Sequence, residues 1–242
     1  MNGTIQGDEP RCILALDAAG GSCSVALWRH GQLCAEESAP MRRGQSERLV
    51  PMAQAAMQQA ACAWSDLDSL AVTVGPGGFT GVRIGLAAAQ GLALAWDLPV
   101  IAVSSFDALA AALPGEERGP TALLLIDAKR AEVYAELRGS AGARLLAADL
   151  YEAERLIAAL SALELASPLL LAGDAAATWL PELQAAGLAV TLSRAPPQIS
   201  AGCVARLAAS RPRPTRPWPI AEPVYLRGAD TTQAKPLAAR RS

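Results

Sequence analysis

LALDA at Leu14–Ala18 and LLIDA at Leu124–Ala128 are the same short pattern written twice, an apolar strand that ends in an aspartate and a small residue, 110 residues apart. A turn and a second apolar run follow each copy. After the first, AAGGS (18–22) leads into Cys23–Trp28, and Arg29-His30-Gly31 leads on into Gln32–Glu36; after the second, AKRAE (128–132) leads into Val133–Leu137. Each half then changes to helical length and period, with helices expected over Gln45–Ala63 and Thr80–Trp96, then over Glu152–Leu163 and Ala175–Ala186. Short strands at Ala71–Val74, Val100–Val103, Leu169–Ala172 and Leu188–Leu192 alternate with them. The expectation is an α/β fold in which a hairpin-led mixed sheet flanked by helices is built twice. The halves should divide between Ser105 and Pro120, and RPRPTRPWP at 211–219 reads as an extended connector.

VGPGGFTGVRIG at 74–85 carries five glycines, at 75, 77, 78, 81 and 85, between an apolar run and an Ala-rich helix. Glycine at a strand-to-helix turn admits close backbone approach, and the helix start offers unpaired N–H groups to an anion. Neither phosphate motif is met. A Walker loop needs Gly-Lys-Ser/Thr, and no lysine precedes Pro120; the dinucleotide fingerprint would need glycine where Thr80 stands. Past the turn, Gly81, Gly85, Ala89 and Ala93 recur every four residues and share one stripe of the helix. Two readings of that stripe stand side by side, a docking surface for a second helix and close packing on the domain's own sheet.

The chain's 242 residues and 52% hydrophobic content suit a folded core of one large or two small domains. No apolar run approaches membrane-spanning length without a charge or glycine, and the first eleven residues have no apolar signal core, so a cytoplasmic location is expected. Five cysteines without a C-x-x-C pair indicate reduced core thiols. The net charge of −2 is uneven: residues 211–242 hold seven Lys/Arg against two Asp/Glu, a local +5, which leaves −7 for residues 1–210. An acidic body with 4% aromatics argues against a broad nucleic-acid surface.

Groups for catalysis are scarce. The single histidine, His30, falls in a hairpin turn, no Gly-x-Ser-x-Gly elbow occurs, and one histidine cannot build a His-x-x-x-His metal site. Glu36-Glu37 and Glu116-Glu117 are adjacent pairs and read as solvated faces. No catalytic, metal or cofactor-binding residue is assigned. Asp17 and Asp127 stand where actin-like and sugar-kinase folds gather metal and phosphate, and each serves equally to stabilise its own turn through backbone N–H groups; the turn role is favoured, with a vestigial phosphate turn as the other reading.

GPGGFTGVRIG at 75–85, ILALDA at 13–18, IDAKRAEVY at 126–134 and EPVYLR at 222–227 together resemble the TsaB (YeaZ) family of bacterial threonylcarbamoyladenosine biosynthesis subunits, over roughly residues 11–234. The resemblance implies a two-lobed actin-like, Hsp70-type (ASKHA) fold with one lobe at 11–108, which 215–234 would complete, a second at 109–214, and tails at 1–10 and 235–242. It implies a non-catalytic partner of TsaD and of the ATPase TsaE, a homodimer when alone, with tRNA reached only through the complex and no membrane. No cofactor is expected on this chain alone, ATP or ADP belonging, if anywhere, to the assembled complex. The interface it implies comprises the helices Gln45–Ala63 and Thr80–Trp96, with Gln45, Leu49, Met52, Phe79, Thr80, Gly81, Arg83, Gly85, Ala89 and Ala93 as contacts. Three departures are visible: Gln45 where a histidine is expected, Gly78 for the commoner serine and Ala18 for a frequent threonine. The rival class is an ATP-using enzyme of the actin and sugar-kinase type, or a peptidase-like member of the superfamily.

Overall fold

Both aspartate-tipped strands are the middle strands of five-stranded sheets in the computed structural model, which describes residues 11–226 apart from 42, 164, 166 and 167. The first sheet joins β1 (Cys12–Asp17), β2 (Ser22–Arg29), β3 (Gln32–Pro40), β4 (Ser69–Thr73) and β5 (Val100–Val103) in the order β3-β2-β1-β4-β5. The second joins β6 (Ala122–Asp127), β7 (Val133–Arg138), β8 (Arg144–Tyr151), β9 (Leu169–Ala172) and β10 (Val190–Leu192) in the order β10-β9-β6-β7-β8. In each, the hairpin strands are antiparallel and the later two parallel, so the duplication holds strand for strand. The β2–β3 hairpin turns at His30 and Gly31, both at positive φ (52° and 79°), the backbone form that matches strand twist.

Helices α1 (Gln45–Gln59), α2 (Phe79–Trp96), α3 (Ser105–Ala112), α4 (Ala153–Ser161), α5 (Ala176–Ala185) and α6 (Ala201–Ala209) cover the sheets in layers. Strand alternation sorts the apolar side chains: Leu14 and Leu16 of β1 meet α1 and α2, while Ile13 and Ala15 face a middle layer of α3 and α6. Leu124 and Ile126 of β6 face the same middle layer from the other side, and Leu123 and Leu125 meet α4 and α5. Strands buried on both faces need apolar residues at every position, which is why LALDA and LLIDA do not alternate. Three core clusters result, and the middle one joins the lobes.

Several expectations need correction. α3 lies inside the segment read as the division between halves, and β8 and α6 were not anticipated. α6 packs on β1 and β2 of the first sheet, although the 109–214 boundary puts it in the second lobe. α1 ends at Gln59 rather than Ala63: Ala61 turns left-handed (φ 46°) and Cys62 N–H reaches back to Met57 O at 3.0 Å, a six-to-one closure that ends a helix. The proposed tails 1–10 and 235–242, and 227–234 of the completing segment, lie outside the described residues. From Arg213 to Tyr225 the chain runs beside the first lobe, its hydrogen bonds going to Asp68, Asp97, Gln90, Val74 and Arg83.

The glycine stripe is turned inward. A Cβ on Gly81 would fall on the Ala18 carbonyl oxygen, one on Gly85 would lie 3.4 Å from Val72, and Ala89 is fully buried. The opposite side of α2 is open, and a Cβ on Gly91 would meet nothing within 4 Å. Gly81→Ala is therefore expected to lower stability by about 3 kcal/mol through overpacking, whereas Gly91→Ala raises it by up to about 1 kcal/mol through helix propensity. Urea denaturation midpoints of the two variants test this, and equal effects would contradict the assignment of faces.

Candidate functional site: the cleft between the lobes and the outer face of the first

Backbone meets backbone at the start of α2. Gly78 N–H donates to Ala19 O at 2.7 Å, and a Cβ on Gly77 would lie 2.5 Å from that same oxygen. Gly75, at φ 102°, turns the chain out of the sheet and accepts from Ser105 N–H at 2.9 Å. The β1–β2 loop is thereby clamped onto the first turn of α2. Side chains at 77 or 81 would push the two apart.

Asp17 lies beneath this clamp, fully buried. Its Oδ1 accepts from Thr73 Oγ1 at 2.5 Å and from Ala19 N–H at 3.2 Å, while Oδ2 has no partner among the described residues. Burial pushes its carboxyl up to about 6, with a further rise from Asp174, against the lowering effect of the Thr73 and Ala19 hydrogen bonds. Asp127, its counterpart in the second hairpin, is more open: Oδ1 accepts from Lys129 N–H and Oδ2 from Lys129 Nζ, both at 2.7 Å. Asp174 Oδ1 in turn accepts from Asp127 N–H at 2.8 Å, and burial raises the Asp174 carboxyl too. Each hairpin aspartate thus bonds a backbone N–H of its own turn.

Between the turns lies a cavity of about 950 Å3, bounded by the starts of α1 and α2 and by Val224 and Tyr225. Among the described residues, four cationic side chains line it, Arg43, Arg83, Lys129 and Arg130, and one carboxylate, that of Asp127. Among the described residues no cluster of three or more His, Cys, Asp or Glu could hold a metal ion. Of the acidic pairs, Glu36 accepts from Ser200 Oγ at 2.6 Å and Gly202 N–H at 3.1 Å, and buried Glu117 accepts from Ser193 Oγ at 2.5 Å and Arg194 Nε at 3.0 Å. These join α6 to β3, and the β10 end to the segment before β6, so the expectation of merely solvated carboxylates is corrected.

The residues expected at an interface divide into two groups. Phe79, Thr80 and Arg83 are exposed at the α2 start, and half-buried Gln45 lines the cavity with its Nε2 on Met41 O at 3.2 Å. Leu49, Met52, Gly81, Gly85 and Ala89 are buried within their own lobe, and Ala93 is half-buried against the same core. As direct contacts those buried five are withdrawn: they fix the helices on the sheet. The small and apolar residues that α1 and α2 expose include a different set, Pro51 and Ala55 on one and Ala87, Gly91, Leu94 and Ala95 on the other, with Leu94 87% exposed, among polar residues such as Gln54, Gln58 and Gln90. Sequence reasoning missed this set because Ala87, Gly91 and Ala95 repeat at the same four-residue spacing as the buried stripe.

A family model described as TsaD, tRNA N6-adenosine threonylcarbamoyltransferase, matches residues 39–184, more than half of the chain. The tRNA threonylcarbamoyladenosine biosynthesis protein TsaB of Escherichia coli (strain K12) is 42% identical over 123 residues, 50% of this chain and 52% of that protein. A solved Pseudomonas aeruginosa protein, described as uncharacterized with similarity to peptidase YEAZ, superposes with a TM-score of 0.70 at 28% identity, over 90% of this chain and all of that one. The chain belongs to the TsaD family, on its TsaB (YeaZ) branch. Its match spans about half the length of the curated relatives. The family's two-lobed architecture extends to the activator of the 2-hydroxyisocaproyl-CoA dehydratase from Clostridium difficile with bound ADPNP, at a TM-score of 0.50 and 10% identity, which is a likeness of fold alone. The fold is therefore actin-like, as expected. Among the described residues no helix is long and apolar enough to cross a membrane.

Asp17 distinguishes a structural carboxyl from a functional one. Its proton is held more tightly in the folded chain than in the unfolded one, so stability is full below about pH 4 and falls as pH rises through about 6. Asp17→Asn keeps an oxygen for Thr73 and Ala19 and removes the buried charge. The variant is expected to be more stable than the parent at pH 8 by on the order of 2 kcal/mol, with the difference shrinking toward pH 4. Chemical denaturation across that range tests it, and a variant less stable at pH 8 would overturn the structural role.

Proposed function

We propose that this chain is a non-catalytic subunit that docks on a TsaD-type threonylcarbamoyltransferase and supports its transfer of the threonylcarbamoyl group to the adenosine beside the tRNA anticodon. The observation that carries the reading is the outer face of α1 and α2, where Leu94 stands 87% exposed above small residues at 87, 91 and 95. Small residues let a partner helix approach closely, and an exposed leucine in a shallow setting gains from being covered. The names of the relatives point the same way. Alone, the chain would pair with a second copy through this face; TsaE joins through the complex, and tRNA meets the complex rather than this acidic chain. The place of action is the cytoplasm. Its own groups suit support better than chemistry, since the two hairpin aspartates are committed to their turns.

One observation favours a second reading, an ATP-binding enzyme: the cavity between the lobes is cationic and receives two helix starts. Against it, the amides of Ala19 and Lys129 that phosphates would use already donate to aspartates. Calorimetry of the isolated chain with ATP and magnesium separates the two, since tight binding with turnover belongs to the enzyme.

Leu94→Arg should leave the melting temperature unchanged and weaken association with the TsaD-type subunit at least tenfold, about 1.4 kcal/mol. Sedimentation or light scattering of the mixture reads the association, and threonylcarbamoyl transfer with and without the chain reads the support. Equal transfer in both cases would refute the proposal.

A further inference from the structure

Arg83 lies on the face of the Phe79 ring and is tethered to Tyr225, and all three residues line the cavity. Its guanidinium carbon sits 3.8 Å from the centre of the Phe79 ring and 5.8 Å from that of Tyr225, and its Nε donates to the Tyr225 hydroxyl at 2.9 Å. The rings themselves lie 5.2 Å apart at 35°. Among the described residues the two terminal nitrogens of Arg83 have no acceptor. An arginine normally loses much side-chain freedom on binding; here that loss has already occurred on folding, and the planar fork that pairs with a carboxylate is left open.

Tyr225 is brought there by a segment that runs antiparallel to α2 along its whole length. Arg216 and Trp218 bond Asp97 at the helix end, Gln90 Nε2 donates to Ala221 O at 3.1 Å, and Val224 N–H donates to Val74 O at 2.7 Å. The clamp therefore belongs to the same edge as the outer face of α2.

Resting on the docking reading above, we propose that the clamped Arg83 receives a carboxylate side chain of the docking partner, and that Tyr225 is the residue that positions it. Three observations select this occupant. Among the described residues, the cavity carries four cationic side chains and one carboxylate within an otherwise acidic body, so an anion is the complementary group. In each hairpin turn one N–H that a free phosphate could use, of Ala19 in the first and of Lys129 in the second, already donates to Asp17 or Asp127. The open fork lies at the α2 start, continuous with the face that the partner would cover.

Titration calorimetry of the full chain against the TsaD-type subunit, at two salt concentrations, tests the clamp with Tyr225→Phe, Arg83→Lys, Arg83→Met and the double variant Tyr225→Phe/Arg83→Met. Tyr225→Phe keeps the ring and loses only the hydroxyl; it and Arg83→Lys should each weaken binding three- to tenfold. Arg83→Met should weaken it more and flatten the salt dependence, and Tyr225→Phe should add nothing in its presence. A full Tyr225→Phe effect without Arg83, or an unchanged salt slope in Arg83→Met, overturns the proposal. So does Arg83-dependent binding of inorganic phosphate or ATP to the chain alone, which would make the ligand a free anion. If the parent chain does not bind the subunit at all, the docking reading fails and this inference with it, whereas normal binding by every variant removes the clamp alone.

Discussion

The close passage of the Ala18 and Ala19 carbonyls over Gly77, Gly78 and Gly81 sets the position of everything around the cleft. At Gly77 and Gly81 no Cβ fits at this distance, so those two glycines are required by contact rather than by turn geometry alone, whereas a Cβ on Gly78 would make only an ordinary contact. The hydrogen bond from Gly78 N–H to Ala19 O fastens the helix start to the strand loop, and Asp17 is sealed beneath the loop by the same approach. One steric constraint thus holds α2 on its sheet and the β1–β2 loop on the start of α2.

The constraint also divides α2 into faces with different duties. Its inner stripe must be bare because the sheet is so near, which leaves the helix with glycines that weaken it locally. Burial of Val82, Leu86 and Ala89 against the sheet offsets that weakness. The outer face is then free to be small for another reason, and Leu94 stands out on it. Along one flank the segment from Arg216 to Tyr225 braces the helix from end to end, so the outward face is presented by an element held on two sides.

The architecture was legible because the duplicated strand-aspartate pattern is a property of buried strands, and burial on both faces leaves a run of apolar residues that reads without ambiguity in LALDA and LLIDA. α6 and α3 escaped for the opposite reason. AGCVARLAA and SFDALAAA are short, alanine-rich and buried in the middle layer, so each carries few polar residues to mark a polar face in the sequence. β8 went unread because RLLAADLY mixes strand and helix signals over eight residues. Within the site, fourfold spacing could not decide which small residues of α2 face the sheet, since 81, 85, 89 and 87, 91, 95 satisfy it equally. Tyr225 was visible only as part of EPVYLR; its partnership with Arg83 across 142 positions exists only in three dimensions.

The two hairpin turns show how one inherited geometry can reverse its electrostatics. A cleft that holds a metal and a nucleotide needs carboxylates on its wall to bind the cation, and it needs backbone amides left open for phosphate. Here Asp17 has sunk out of the cavity onto Thr73, and Asp127 is covered by Lys129 from its own turn. With the acids drawn into their turns, the arginines that remain on the wall, Arg43 and Arg83 in the first lobe, give the cavity the sign of an anion receptor. On the docking reading proposed above, these bonds would leave the cleft to recognise a negative group of the partner rather than to hold a metal.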